Sequence, residues 1–523
     1  MDRVSFDDVL GTNYAPLDNG RRSIKTLVQS MEELSSLNQV LSPSPARCDK
    51  LHDSISAHKA LLTRAQLLPP ELLSEIFTHS SLSESSGSGR AGILLLPHPR
   101  VSGSPLKLGR ICRRWHQIAL STPSLWSAIT IPKNWNIEGL QEWIRRAGSV
   151  TISFSVDVHQ QKREVLRLLA SHQSQWKEVV MHLDTSQAGR QLSREFLETL
   201  SRSYGNLQTL DIRLAHPDWG WKQPRNGNTD IELTLGIDSA PHLRSLSFHA
   251  PDFKMVTLNT LPLLCLREIR VDFDPVPVEE FLTLLRLSPT VEVVDAYLLP
   301  QHDSNDSSHE IATLLNLKDL EISEEYVGDS EGHYLCLLEK LASPALERLC
   351  YSIADCWEWI QQDMPTHVPH IKPFIHRSRP PLRELRIQGY CIPAADIIYC
   401  IQFLPNLACI HIYDVAMSDD WDEVIQLLTG PIPPSDENLS GCMCALLNEI
   451  HFGQGNIVSP DSVINMILSR SPVGNQKLSC VTMLSCSEHD VLTHPKIMDC
   501  VANGLKFRGS DTDPWGGGGS WVS

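Results

Sequence analysis

Residues Asn316–Ile322 read NLKDLEI. An apolar residue, Leu317, is followed by two variable positions, then by Leu320 and Ile322 with one variable position between them. The closing alternation has period two, the mark of a strand with one buried face. The phrase returns as NLQTLDI at Asn206, HLRSLSF at His242, CLREIRV at Cys265, TVEVVDA at Thr290, ALERLCY at Ala345, PLRELRI at Pro381 and NLACIHI at Asn406. Weaker versions are QWKEVVM at Gln175, LLNEIHF at Leu446 and KLSCVTM at Lys477. Helical text such as VEEFLTLLRLSP and DSVINMILSRSP lies between phrases.

Strand plus helix, repeated, resembles a leucine-rich repeat solenoid. The usual Asn or Cys ladder is missing from most copies and the step is irregular, so an irregular α/β sheet is the alternative. The resemblance implies that the strands line a concave face and that residues between the apolar strand positions point outward. Those are Asp211 and Arg213, Ser247 and His249, Arg270 and Asp272, Asp295 and Tyr297, Glu321 and Ser323, Cys350 and Ser352, Arg386 and Gln388, and His411 and Tyr413. Asp295, Asp319 and Glu321 are expected side by side as an acidic patch, with Arg270 and Arg386 flanking it. Such a strip suits a target protein that presents a basic segment.

Outward from the repeats, the N-terminal part is helical. Ile24, Leu27, Met31, Leu34 and Leu41 form an apolar stripe, Ser42–Pro45 (SPSP) breaks it, and Leu51, Ile55, His58 and Leu62 form a second. A helical hairpin is expected. LLPPELLSEIF, Leu67–Phe77, then opens a helix at Pro69 and Pro70, with Glu71 at the positive end of its dipole. RICRRWHQIALSTPSLW, Arg110–Trp126, supplies a second apolar face that includes Trp115, expected in the module's core. Short helices of this kind bury little area alone, so the unit belongs to something larger or completes its core on a partner.

LPPELLSEIF with LGRICRRWHQIALSTPSLW resembles an F-box, and the flanking HKALLTRAQ and ITIPKNW resemble the F-box proteins of mushroom-forming fungi. The resemblance implies a Skp-type adaptor as partner, and through it a cullin. It also implies that Leu68, Pro69, Leu72, Ile76, Ile111 and Leu125 contact the adaptor or shape the contact. The departure from the family is an insert at about 80–105, expected to be a dispensable surface loop. Its GSGRAG, Gly87–Gly92, has the spelling of a phosphate-binding motif but lacks the preceding strand and following helix that chemistry needs.

The remaining features narrow the function class. A net charge of −17 argues against nucleic-acid partners. No apolar run is long enough for a membrane span, and Met1–Tyr14 has no signal-peptide core, so a soluble intracellular chain, cytoplasmic or nuclear, is expected. The fourteen cysteines are scattered and read as reduced thiols. No G-x-S-x-G, P-loop or H-E-x-x-H motif occurs. Cys442, Cys444, Cys480 and Cys486 read as strand alternation, and His451 and His489 beside Asp490 as ordinary surface histidines. No enzyme activity, cofactor or metal is expected.

The expected fold is α/β: a hairpin region (1–66), a three-helix F-box (67–131), an irregular leucine-rich-repeat solenoid (132–508) and a Gly/Ser tail (509–523). The expected function is target recognition for an SCF-type cullin-RING ubiquitin ligase, with a non-ligase binding scaffold as the alternative.

Overall fold

The computed structural model describes Pro16 and residues 18–41, 45–60, 68–85, 96–184, 187–198, 204–215, 231–235, 240–249, 253–257, 263–302, 310–325, 334–354, 371–389, 394–413, 421–429, 444–453, 458–470 and 478–510. Leu62, the GSGRAG motif, Cys442 and residues 511–523 of the tail lie outside them. The chain divides into two compact units, Met1–Gln208 with Ala215–Trp219 and Thr209–Leu214 with Gly220–Ser523.

The first unit begins with two helices packed together, α1 (Asp18–Leu41) and α2 (Pro45–Ala60). Their shared core is Ile24, Val28 and Ile55, flanked by Met31 and Leu51. Lys59 reaches Glu32 across the pair at 2.5 Å. The buried row of α1 thus steps from Ile24 to Val28, Met31 and Ser35, while Leu27 and Leu34 are exposed. Ile24 and Met31 of the expected stripe face the partner helix, whereas Val28 and Ser35 stand in place of Leu27 and Leu34. Steps of four, three and four keep a row facing one neighbouring helix.

Two further helices follow, α3 (Pro70–Ser85) and α4 (Arg113–Leu120). Three parallel strands come next, β1 (Ala128–Thr130), β2 (Ile152–Asp157) and β3 (Trp176–Asp184), with β2 between the others. Helices α5 (Ile137–Ala147) and α6 (Arg163–Ser171) connect them, and α7 (Gln187–Leu197) follows. Asn136 caps α5 by accepting the Glu138 N–H at 3.0 Å, and Gly148 ends it at φ 61°, a conformation that favours glycine.

The insert is not all loop. Helix α3 continues to Ser85. Beyond it, the Thr130 N–H donates to Pro97 O and the Thr130 hydroxyl to Leu96 O, both at 2.8 Å. The Ser81 and Ser104 hydroxyls bond to each other, and Ser104 and Pro105 are buried. The second half of the insert therefore satisfies polar groups at the open edge of β1.

In the second unit the phrase becomes strand after strand. The strands are β4 (Thr209–Ala215), β5 (Ser245–His249), β6 (Glu268–Pro277), β7 (Val293–Leu299), β8 (Asp319–Glu325), β9 (Arg348–Ala354), β10 (Glu384–Gln388), β11 (Cys409–Tyr413), β12 (Glu449–Phe452), β13 (Cys480–Ser487) and β14 (Lys506–Ser510). Each pairs in parallel with the next in this order. The register stacks like on like. One buried row runs Leu320, Leu349, Leu385, Ile410, Ile450 and Val481, and a second runs Ile322, Tyr351, Ile387, Ile412, Phe452 and Met483.

The leading apolar residue of each phrase is also buried, and in several copies its N–H closes a tight turn. Leu243 donates to Ala240 O, Leu266 to Leu263 O, Val291 to Ser288 O and Leu407 to Leu404 O. The polar residue before it binds back to the previous copy: Asn316 Nδ2 donates to Pro289 O and the Thr290 hydroxyl to Leu264 O. Helices α8 (Val278–Leu287), α9 (Ile371–Ser378), α10 (Ala394–Phe403), α11 (Asp422–Leu428) and α12 (Pro460–Arg470) connect strands, and α9 to α12 pack on one another in order. Two short helices, α13 (Glu488–Leu492) and α14 (Pro495–Ala502), precede β14. No helix among the described residues is long and apolar enough to cross a membrane.

Leu385 is fully buried in this ladder, and Arg383, two residues earlier, is exposed. Leu385→Ala should cost about 2–5 kcal/mol, and Arg383→Ala about 0.5 kcal/mol or less. Urea unfolding of the two variants checks this, and equal costs would contradict the burial of this row.

Candidate functional site

Two surfaces carry the residues singled out in the sequence. The first is on α3. Residues at adjacent positions face different sides of a helix, because each residue turns the direction by about 100°. Leu73 and Phe77 are 1% exposed and form the inner face. Phe77 meets Trp115 of α4 with ring centroids 4.7 Å apart. Leu72 and Ile76 are left 51% and 48% exposed, and Pro69, three residues before Leu72, is exposed too. Ile111, ahead of α4, is 42% exposed. Leu68 is half-buried, and its carbonyl accepts from the Arg114 guanidinium.

Leu125 differs from this set. It is 4% exposed. The turn Pro123–Trp126 follows Thr122, whose hydroxyl donates to Ile118 O at 2.6 Å, and Trp126 Nε1 donates to Ala119 O at 2.8 Å. These bonds direct Leu125 into the module's own core, so it shapes the surface from beneath. Trp115, expected in that core, is only half-buried. Trp126 takes its place, packed edge-on against Trp143 at 4.8 Å and beneath the Arg146 guanidinium at 4.3 Å.

The second surface is the polar side of the β4–β14 sheet. One row runs Asp211, Ser247, Arg270, Asp295, Glu321, Cys350, Arg386, His411, His451 and Thr482, each beside the next. Asp295 and Glu321 are neighbours as expected, and Asp319 stands two residues before Glu321 beside Val293. They do not form a simple acidic patch. Arg348, which the sequence reading passed over, reaches Asp319 at 2.7 Å and Glu321 at 2.9 Å. Burial opposes its charge, but the two carboxylates hold its pKa above the ordinary value. Arg270 lies directly beside Asp295 and pairs with Glu268 at 2.5 Å, and Arg386 pairs with Glu384 at 2.5 Å. The face is a mosaic of ion pairs. Glu268, Arg348 and Glu384 lie at the first outward position of their strands; Glu268 and Glu384 pair with the next outward residue of their own strand, and only the Arg348 pairs follow from the register. The side chains of His249 and Asp272 lie outside the described set.

Further along, the chemistry changes. His411 and His451 stack with centroids 4.2 Å apart and 11° between planes. His451 is therefore not an ordinary surface histidine; its side chain is 15% exposed. Burial, then His451 and Arg386, lower the His411 pKa to about 3, and burial lowers that of His451. Burial and then Glu449 push the Cys409 thiol up to about 12. Cys444, by contrast, is buried and donates to Ile401 O and Leu404 O. One buried carboxylate was also missed. Glu324 accepts from Tyr351 OH at 2.5 Å and from the Leu337 N–H at 3.3 Å. Its sequence signal was its inward parity with Leu320 and Ile322.

Residues 65–132 match the family described as F-box-like. No curated protein matches the chain.

A double-mutant cycle on Arg348 and Asp319 should give a coupling of roughly 0.5–2 kcal/mol. The part-buried geometry places it above an ordinary surface pair. A coupling near zero, read from denaturant midpoints, would mean that the mosaic is only a solvated face.

Proposed function

We propose that the chain is the target-recognition subunit of an SCF-type cullin-RING ubiquitin ligase, of the kind found in mushroom-forming fungi. The F-box-like segment binds a Skp-type adaptor through Pro69, Leu72 and Ile76, with Leu68 and Ile111 at the rim and Leu125 supporting them from below. The repeating strands and helices are an irregular leucine-rich-repeat solenoid, and its polar strand face holds a target protein. The work is soluble and intracellular, with no membrane or nucleic acid involved.

The observation that carries this reading is the division of α3. Leu73 and Phe77 build the module's core, while Leu72 and Ile76 stand half-exposed among the described residues. Burying the exposed part of each would contribute about 1 kcal/mol. The chain does no bond chemistry of its own in this account. It raises the effective concentration of target lysines near an enzyme carried elsewhere in the assembly. The charge mosaic favours a target whose charges alternate in complement, since such matching sets specificity and on-rate more than affinity.

Leu72→Ala with Ile76→Ala should weaken capture of a purified Skp-type adaptor at least about tenfold, the equivalent of 1.4 kcal/mol. Thermal unfolding should not change, because both side chains face outward. Undiminished capture would remove the adaptor reading, and adaptor capture without a cullin would favour the scaffold reading. Separately, reversing Asp295, Asp319 and Glu321 to Lys should abolish capture of non-adaptor partners and spare the adaptor. If every such partner is retained, the polar strand face is not where targets bind.

A further inference from the structure

The stacked histidines belong to a four-cornered group. Cys409 and His411 alternate along β11, Glu449 and His451 along β12, and the register sets Cys409 beside Glu449 and His411 beside His451. Strands lie about 4.8 Å apart and alternate residues about 6.6 Å apart. Four ligand-type side chains therefore rise from the corners of one small rectangle on the polar face. One donor atom from each lies within 4.8 Å of all the others.

The ring orientations are the second observation. His411 Nδ1 lies 3.1 Å from Tyr413 OH, and His451 Nδ1 lies 3.0 Å from Thr482 Oγ1. Each imidazole is held on one nitrogen by an outlying hydroxyl, leaving Nε2 to meet the group. His411 Nε2 is 2.9 Å from Cys409 Sγ, and His451 Nε2 is 3.9 Å from a Glu449 oxygen. A histidine fixed through one nitrogen and offering the other to a thiol and a carboxylate has the setting of a metal ligand with its outer partner.

We propose that Cys409, His411, Glu449 and His451 bind one divalent ion of the zinc class, with Tyr413 and Thr482 orienting the imidazoles. The donor set is one thiolate, two neutral imidazoles and one carboxylate, which zinc takes in four-coordinate sites. Zinc–sulfur and zinc–nitrogen bonds of about 2.3 and 2.0 Å place those ligand atoms about 3.6 Å apart in a tetrahedron. The Cys409–His411 contact opens by less than 1 Å to admit the ion, and the Glu449 carboxylate closes slightly. Side-chain rotation supplies both, and it also tilts His411 and His451 out of their stack, because near-parallel rings 4.2 Å apart do not aim both Nε2 lone pairs at one point. Binding breaks the Cys409 S–H bond, forms the metal–sulfur bond and releases one proton to solvent. The site ties β11 to β12 on the face assigned to targets, and it is independent of the adaptor reading.

The test uses the full chain, stripped with a chelator and titrated with zinc ion alone, then with cobalt(II) as a spectroscopic probe. One equivalent should bind with a rise in melting temperature, and cobalt should give a thiolate charge-transfer band with the visible bands of a tetrahedral site. Cys409→Ser should remove that band and weaken zinc binding by at least about a hundredfold, beyond what loss of an outer partner costs. Cys350→Ser, on the same face two strands away, should leave both unchanged. Glu449→Gln and His451→Ala should weaken binding as well, which keeps the test open if Cys409→Ser folds poorly. Absence of the band in the intact chain overturns the site, and so does affinity that survives all three ligand substitutions. In that event the four side chains are only a hydrogen-bonded ladder.

Discussion

Each strand of the β4–β14 sheet has apolar side chains that it cannot shield from water alone. Leu385 is covered along the sheet by Leu349 on one side and Ile410 on the other, and each of those depends in turn on its own neighbours. A slip of one residue would turn the buried row to solvent and the charged row inward. At roughly 1.5–3 kcal/mol per buried aliphatic side chain, that penalty fixes the register of every strand. Functional consequences follow from the register, because it decides which outward residues become neighbours.

With the rows locked, the polar face is organised by chains of proximity and not by sequence distance. Arg348 meets Asp319 and Glu321 because β8 and β9 are paired. His411 meets His451 because β11 and β12 are. The helical module rests on a different constraint, the turn of a single helix. The same 100° step that drives Leu73 and Phe77 inward holds Leu72 and Ile76 out. One surface is a mosaic of ion pairs, and the other is a small, half-exposed apolar face.

Much of this was legible in the sequence. The phrase NLKDLEI and its relatives located most of the strands and named their buried positions, because period-two alternation reports which residues face the core. Pro69, Pro70 and the Leu-Pro-x-Glu-Leu pattern located the start of α3 to within a residue. What stayed hidden depended on the third dimension. The α1 stripe was misread at Leu27 and Leu34 because several leucines share that helix and only the partner helix decides which are covered. The role of Leu96 and Pro97 came from their carbonyls, which sequence pattern does not report. The acidic patch became a mosaic because Arg348 lies in the phrase after its partners. Cys409 with Glu449 could be joined only once two phrases were known to be adjacent.

The central claim is that the outer face of α3 is where an adaptor binds. Hydrogen exchange of the full chain, with and without a saturating purified Skp-type adaptor, tests it most directly. The account predicts slowed exchange in residues 68–80 and 108–120, with Glu384–Gln388 of β10 unchanged. Slowed exchange confined to the sheet, or no change anywhere at saturation, would contradict it.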